Sequence, residues 1–192
     1  MGYSTYRIFR GISLDCLAEK VRANLNLYEP GTAGRELAVT AIEGTGCSAL
    51  HFGHGADLLV TVGYQLGCIW MDANENDGDW WDLRIYEGAE HRVGHNPDPW
   101  ASSQRVKWEE QHFDYRIKRV CELWPDHAER IRPYLLPARR RVTTLGRTRF
   151  VPRTGKAYET DQYEYGDAYQ VFDFVAAFGI HDRARSVIVR AG

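Results

Sequence analysis

A chain of 192 residues that is 44% hydrophobic, 12% aromatic and 26% charged is long enough to bury a core, and that balance excludes a disordered polymer. A net charge of -2 excludes binding to a polyanion by overall charge, and the scattered Cys16, Cys47, Cys68 and Cys121 exclude a zinc knuckle or a Cys-x-x-Cys redox pair, reading instead as small buried hydrophobes. The N-terminus has no apolar signal core and no run approaches the ~18 apolar residues of a membrane span, so the cytoplasm is the expected location and no membrane partner is expected.

Residues 3–10 alternate Tyr6 and Ile8 with polar residues and predict a strand. Ser13 then stands as N-cap of a helix over 14–26, whose Leu14, Leu17, Val21 and Leu25 share one face, with Ile12 placed to staple onto Leu17. The Pro- and Gly-bearing stretch 28–34 predicts a loop, and residues 37–43 and 49–53 predict two strands paired as a hairpin around Gly44-Thr45-Gly46. Residues 56–66 fit a helical stripe of Leu59, Val62 and Leu66, although 58–62 also suits a buried strand; the helix is taken. Strands over 68–72 and 80–86, joined by a polar turn at 73–79, and a third strand over 91–94 complete the first half. The expected class is therefore α+β, a mostly antiparallel sheet with helices on one face in the N-terminal half.

Two prolines in His95-Asn-Pro-Asp-Pro-Trp100 mark a boundary. It divides a sheet domain, 1–96, from a mainly helical region, 97–192, packed on it as a separate unit or within one continuous domain. Phe113, Ile117, Val120 and Trp124 form a helical stripe ended by Pro125, and Ala128, Ile131 and Leu135 predict a second short helix that Pro133 bends or ends. A third helix is predicted over 168–178, with Asp167 as N-cap, Gln170 in a capping box, Phe172, Val175 and Phe178 buried, and Gly179 as its stop.

From Glu36 to Leu83 there is no Lys or Arg, while eight acids occur: Glu36, Glu43, Asp57, Asp72, Glu75, Asp77, Asp79 and Asp82. The oxygen-rich run from Asp72 to Asp79 is out of register for an EF-hand, since glycine falls at the seventh position and Leu83 stands where a bidentate glutamate is needed. It reads as a polar turn. Trp80 and Trp81 are adjacent, so on a strand one points inward and the other outward. His51 with His54, and His91 with His95, lack a third ligand, and neither a nucleophile elbow, a phosphate loop nor a His-Glu-x-x-His motif occurs. No metal and no cofactor are expected. Cys47 close to His51 and His54 is a nucleophile-and-base pairing supported by sequence proximity alone.

Between Arg139 and Lys156 the bias inverts, with Arg139, Arg140, Arg141, Arg147, Arg149, Arg153 and Lys156 and no acid. This stretch reads as irregular with one hairpin. Five acids follow over 159–173, of which Glu159, Asp161, Glu164 and Asp167 are close enough to fold back and pair with the arginines, so nucleic acid is not the expected partner.

The stretch Asp79-Trp-Trp-Asp-Leu-Arg-Ile-Tyr-Glu-Gly88, followed by a polar hairpin and Asn96-Pro-Asp-Pro99, resembles a pattern in small bacterial proteins that include immunity proteins of toxin systems. The resemblance covers about a quarter of the chain and its motifs are structural. It implies an inhibitor with an acidic, aromatic face directed at a basic protein, a pairing that gains association rate and specificity from charge. The residues expected to form that face are Asp72, Glu75, Asp77, Asp79, Trp80, Trp81 and Asp82. Two other readings are carried: a small hydrolase-like enzyme with His51, His54 and Asp57 or Asp72 in a cleft of the sheet, and nucleic-acid binding through Arg139 to Lys156.

Overall fold

A computed structural model describes residues 3–25, 38–52, 60–98 and 110–190. The elements in chain order are β1 (Tyr3–Arg10), α1 (Leu14–Leu25), β2 (Ala38–Gly44), β3 (Cys47–Phe52), α2 (Val60–Leu66), β4 (Ile69–Asn76), β5 (Trp80–Glu87), β6 (Glu90–His95), α3 (Glu110–Leu123), α4 (Ala128–Ile131), β7 (Arg139–Thr144), β8 (Arg147–Pro152), α5 (Gln170–Ala176) and β9 (Ser186–Arg190). Short 3-10 turns at Pro125–His127 and Arg132–Leu135 flank α4. The protein is α+β with a mostly antiparallel sheet.

Seven strands form the main sheet in the order β6-β5-β4-β1-β3-β2-β9, and every described pairing in it is antiparallel. Strand alternation on β1 sends Ile8 and Phe9 to opposite faces. Ile8, Ala49, Met71, Trp81 and Leu83 pack with Val120 and Trp124 beside α3, and with Phe174 and Phe178 at α5. Phe9, Leu50 and Trp70 pack with Leu17 and Val21 of α1 and Val62 of α2. Burying each large apolar side chain contributes ~1.5–3 kcal/mol, and the paired apolar positions lock the strand register.

Local signals act as the sequence reading expects at several points. The Ser13 carbonyl accepts from the Leu17 N–H at 3.0 Å and its hydroxyl from the Cys16 N–H at 3.3 Å, which starts α1. Gly46, at φ +64, turns the β2–β3 hairpin. Pro125 ends α3, and Pro133 lies where α4 tightens into a 3-10 turn.

Other expectations need correction. The hairpin expected in the basic stretch is β7–β8, but the C-terminal half is not simply helical, because it also supplies β9, which joins the main sheet against β2. Strand β4 runs on to Asn76, so the β4–β5 turn is Asp77-Gly78-Asp79 rather than seven residues. Helix α5 begins at Gln170 without a side-chain cap, and its buried residues include Val171, Phe174 and Val175 while Phe172 is half-buried. Gln170 makes no capping box, since its side-chain amide is buried without a partner. Cys16 is exposed and Cys68 and Cys121 are half-buried, leaving only Cys47 as a buried thiol. The predicted loop over 28–34 and the start of the second helix, 56–59, lie outside the described residues.

Candidate functional site

The seven residues expected to make one acidic face are divided by the sheet. Glu75 and Trp81, on neighbouring strands and paired in register, turn to the α5 side and are each 3% exposed. The Glu75 carboxylate accepts from the Gly78 N–H and so closes the turn, while Trp81 packs on Phe174 with ring centroids 5.2 Å apart. Asp72, Trp80 and Asp82 alternate to the opposite face. Glu75, Trp81 and Asp82 are all buried and do not belong to an exposed surface. Asp77 and Asp79 remain, exposed in the turn.

On that opposite face the acids are held by the sheet itself. Arg7 donates from Nε to Asp72 Oδ1 at 2.7 Å and from Nη2 to Oδ2 at 3.0 Å, with its guanidinium 4.9 Å from the Trp70 ring centroid and 5.3 Å from that of Phe52. Thr5 Oγ1 donates to Asn74 Oδ1 at 2.9 Å, and Asn74 Nδ2 donates to Asp82 Oδ1 at 2.8 Å. Burial pushes the Asp82 carboxyl above the usual carboxylate range, against the lowering effects of Asn74 and Arg84. This polar layer is internal architecture of the sheet.

A different set of side chains makes a partly exposed aromatic row. Beginning at β3, His51 stacks on Tyr6 at 4.4 Å, and Tyr6 meets the edge of Phe172 at 6.2 Å. Phe172 stacks on Tyr169 at 5.9 Å, and Tyr163 contacts both, at 5.8 Å from Tyr169 and 6.2 Å from Phe172. None of the five is fully buried, and Tyr169 is 43% exposed. The β4–β5 turn sits under the end of this row: a Cβ at Gly78 would lie 3.2 Å from Tyr169 Oη.

The row is bordered by acid. Asp77 and Asp79 flank Gly78, exposed Asp167 accepts from the Tyr169 N–H at 2.8 Å, and exposed Asp182 acts electrostatically on Tyr6. Burial, with that aspartate second, raises the Tyr6 hydroxyl pKa. His51 adds no positive charge near neutral pH, since burial lowers its pKa, and Nε2 lies 2.9 Å from Ser4 Oγ.

The enzyme reading finds no assembled site among the described residues. His51 follows the register of Tyr6 and Ala73 on one face of the sheet, while Asp72 pairs with Arg7 on the other. His54 and Asp57 lie outside the described residues. Burial pushes the Cys47 thiol up to about 12, so it is protonated and unreactive near neutral pH. His95 is fully buried, with Nε2 2.9 Å from the Leu135 carbonyl, and His127 Nε2 lies 2.8 Å from the Thr45 carbonyl; both rings are structural ties. Among the described residues no group of three His, Cys, Asp or Glu side chains is placed to hold a metal ion. None of the described helices is long and apolar enough to cross a membrane.

The aromatic row escaped sequence reading because its members come from β1, β3 and the 163–172 region, which no sequence period connects. The one available signal was the tyrosine density of the stretch from Tyr158 to Tyr169. Comparison of the chain with family models, with curated proteins and with solved structures found no match to any of them.

Proposed function

We propose that this chain is a protein-binding module of the immunity type, acting as an inhibitor that covers a basic surface on another protein. The observation that carries the reading is the row His51, Tyr6, Phe172, Tyr169 and Tyr163 with Asp77, Asp79, Asp167 and Asp182 around it. Aromatic side chains bring large contact area at small entropic cost and dominate interface energetics, while surrounding charge sets partner sign and association rate. In this reading the acidic face keeps Asp77 and Asp79 from the residues expected by sequence and gains its aromatic anchors from α5 and the segment before it. The expected location remains the cytoplasm.

The test is capture from lysate of the source cell with the full chain as bait, beside Asp77→Lys/Asp79→Lys and Tyr169→Ala baits. A basic protein retained by the native chain should fall at least tenfold with either variant, an effect of ~1.4 kcal/mol or more, while the circular dichroism of the variants stays native. Equal retention of that protein by all three baits sinks the proposal.

A further inference from the structure

The β7–β8 hairpin is a two-stranded sheet of its own, separate from the seven-stranded one. Its strands pair from Arg139 opposite Pro152 to Thr144 opposite Arg147, leaving a two-residue tip of Leu145 and Gly146 at φ +51 and +71. Two consecutive left-handed residues make the tight turn whose twist matches paired strands. At ~3.3 Å per residue each six-residue strand is ~20 Å long. Among its described side chains only Val142 and Val151 are half-buried and all the others are exposed.

Its chemistry has one sign. Arg139, Arg140, Arg141, Arg147 and Arg149 lie on it and no acid does. Register places Arg140, Arg147 and Arg149 on one face, with Arg140 opposite Val151 and Arg149 opposite Val142. Three of the five acids that follow in sequence make hydrogen bonds within or next to their own segment. Asp161 accepts from Tyr134 Oη at 2.9 Å and from the Tyr158 N–H at 2.8 Å. Asp173 accepts from the Gln162 and Tyr163 N–H groups, and Asp167 from that of Tyr169. Two of the carboxylates expected to pair with the arginines, Asp161 and Asp167, thus accept hydrogen bonds from their own neighbourhood.

The tip is anomalous in the same direction. A left-handed position favours Gly, Asn or Asp and costs another residue ~1–2 kcal/mol, yet it holds a leucine that is 98% exposed. Local stability does not account for an apolar, strained residue facing solvent at the end of an arginine ribbon. A two-stranded ribbon fits a DNA groove, arginine pairs bidentately with phosphate, and apolar wedges insert between base steps of duplexes that are being bent. We propose that the β7–β8 ribbon is a second binding site, for duplex DNA, with Arg140, Arg147 and Arg149 on phosphates and Leu145 leading against the base steps. It shares no residue with the acidic aromatic face and does not depend on that reading.

The experiment is fluorescence anisotropy of a labelled duplex of ~20 base pairs titrated with the full chain at several salt concentrations. Three phosphates neutralised predict a log–log salt slope of about -2.7, hence an affinity about 40-fold weaker at about 200 mM than at about 50 mM salt. Arg140→Glu/Arg147→Glu/Arg149→Glu should abolish binding with the native circular dichroism kept, and the triple Arg→Lys chain should retain the slope. Leu145→Asn should move two readouts in opposite directions, raising the unfolding midpoint while weakening duplex binding severalfold. No salt-dependent duplex binding by the native chain, or unchanged binding by the triple Glu variant, would overturn the proposal. Tighter binding to vesicles of mixed anionic and zwitterionic lipid than to duplex would overturn it in favour of a membrane surface.

Discussion

At the residue scale, buried polar side chains serve as ties between elements, and His95 shows how such a tie acts. Its ring lies 4.7 Å from that of Phe113, and its Nε2 reaches the Leu135 carbonyl, holding the 3-10 turn against β6. Donation to a carbonyl requires the proton on Nε2. Burial drives its pKa down to about 3. A histidine whose folded pKa lies below its unfolded value near 6.5 binds its proton first in the unfolded chain, so stability is full above pH ~6.5 and falls progressively toward pH ~3. Denaturant midpoints measured across that range should therefore drop with acid in the native chain. They should drop less in His95→Gln, whose amide N–H can still reach Leu135. An equal acid loss in both chains would remove His95 from this role. Nothing in the local sequence distinguishes His95 from an exposed histidine, because its neighbours Phe113 and Leu135 come from later elements.

At the element scale, the interface between α2 and the sheet is set by one glycine. A Cβ on Gly63 would lie 2.5 Å from the Trp70 indole, whose Nε1 donates to the Gly88 carbonyl at 2.8 Å. Alanine gains up to ~1 kcal/mol of helix propensity over glycine, but overpacking a tight core costs ~1–3 kcal/mol. Because the indole is fixed by its hydrogen bond and by Tyr86 stacked on it at 4.2 Å, the clash wins. Gly63→Ala should lower stability by ~1–2 kcal/mol in urea unfolding, and the penalty should shrink in a Trp70→Phe background. A stabilised Gly63→Ala chain would contradict this packing.

Elements with strong local signals were legible in sequence for reasons the structure makes plain. The capped stripe of α1, the hairpins with Gly at their turns, and the stripe of α3 ended by Pro125 each depend on residues close in sequence. What depended on distant partners was not legible. The run from Asp72 to Asp79 has turn composition, yet Ala73, Asn74 and Glu75 are strand residues because β1 and β5 pair with them on either side. Asn74 and Glu75 are satisfied there by Thr5, Asp82 and the turn, none of which is announced by local propensity. Of the expected site, Asp77 and Asp79 were legible as exposed acids, and strand alternation places Trp80, half-buried, and Trp81, buried, on opposite faces. Their aromatic neighbours were not, since tertiary packing alone brings Tyr6 beside Phe172.

At the scale of the whole molecule, charge is segregated by fold rather than by net balance. One surface joins acids to an aromatic row at α5 and the β4–β5 turn, and a separate ribbon gathers arginines. The core sheet draws strands from both ends of the chain, since β9 pairs with β2, while the arginines lie on the separate two-stranded β7–β8 sheet. The proposed docking of a partner on the acidic aromatic face can be read out by photocrosslinking in lysate of the source cell. A photoreactive residue would replace Tyr169 in one chain and Tyr115, 64% exposed on α3, in another. The account predicts an adduct to one basic protein from position 169, reduced by high salt and absent from position 115; adducts of equal yield from both positions, or none from 169, would contradict it.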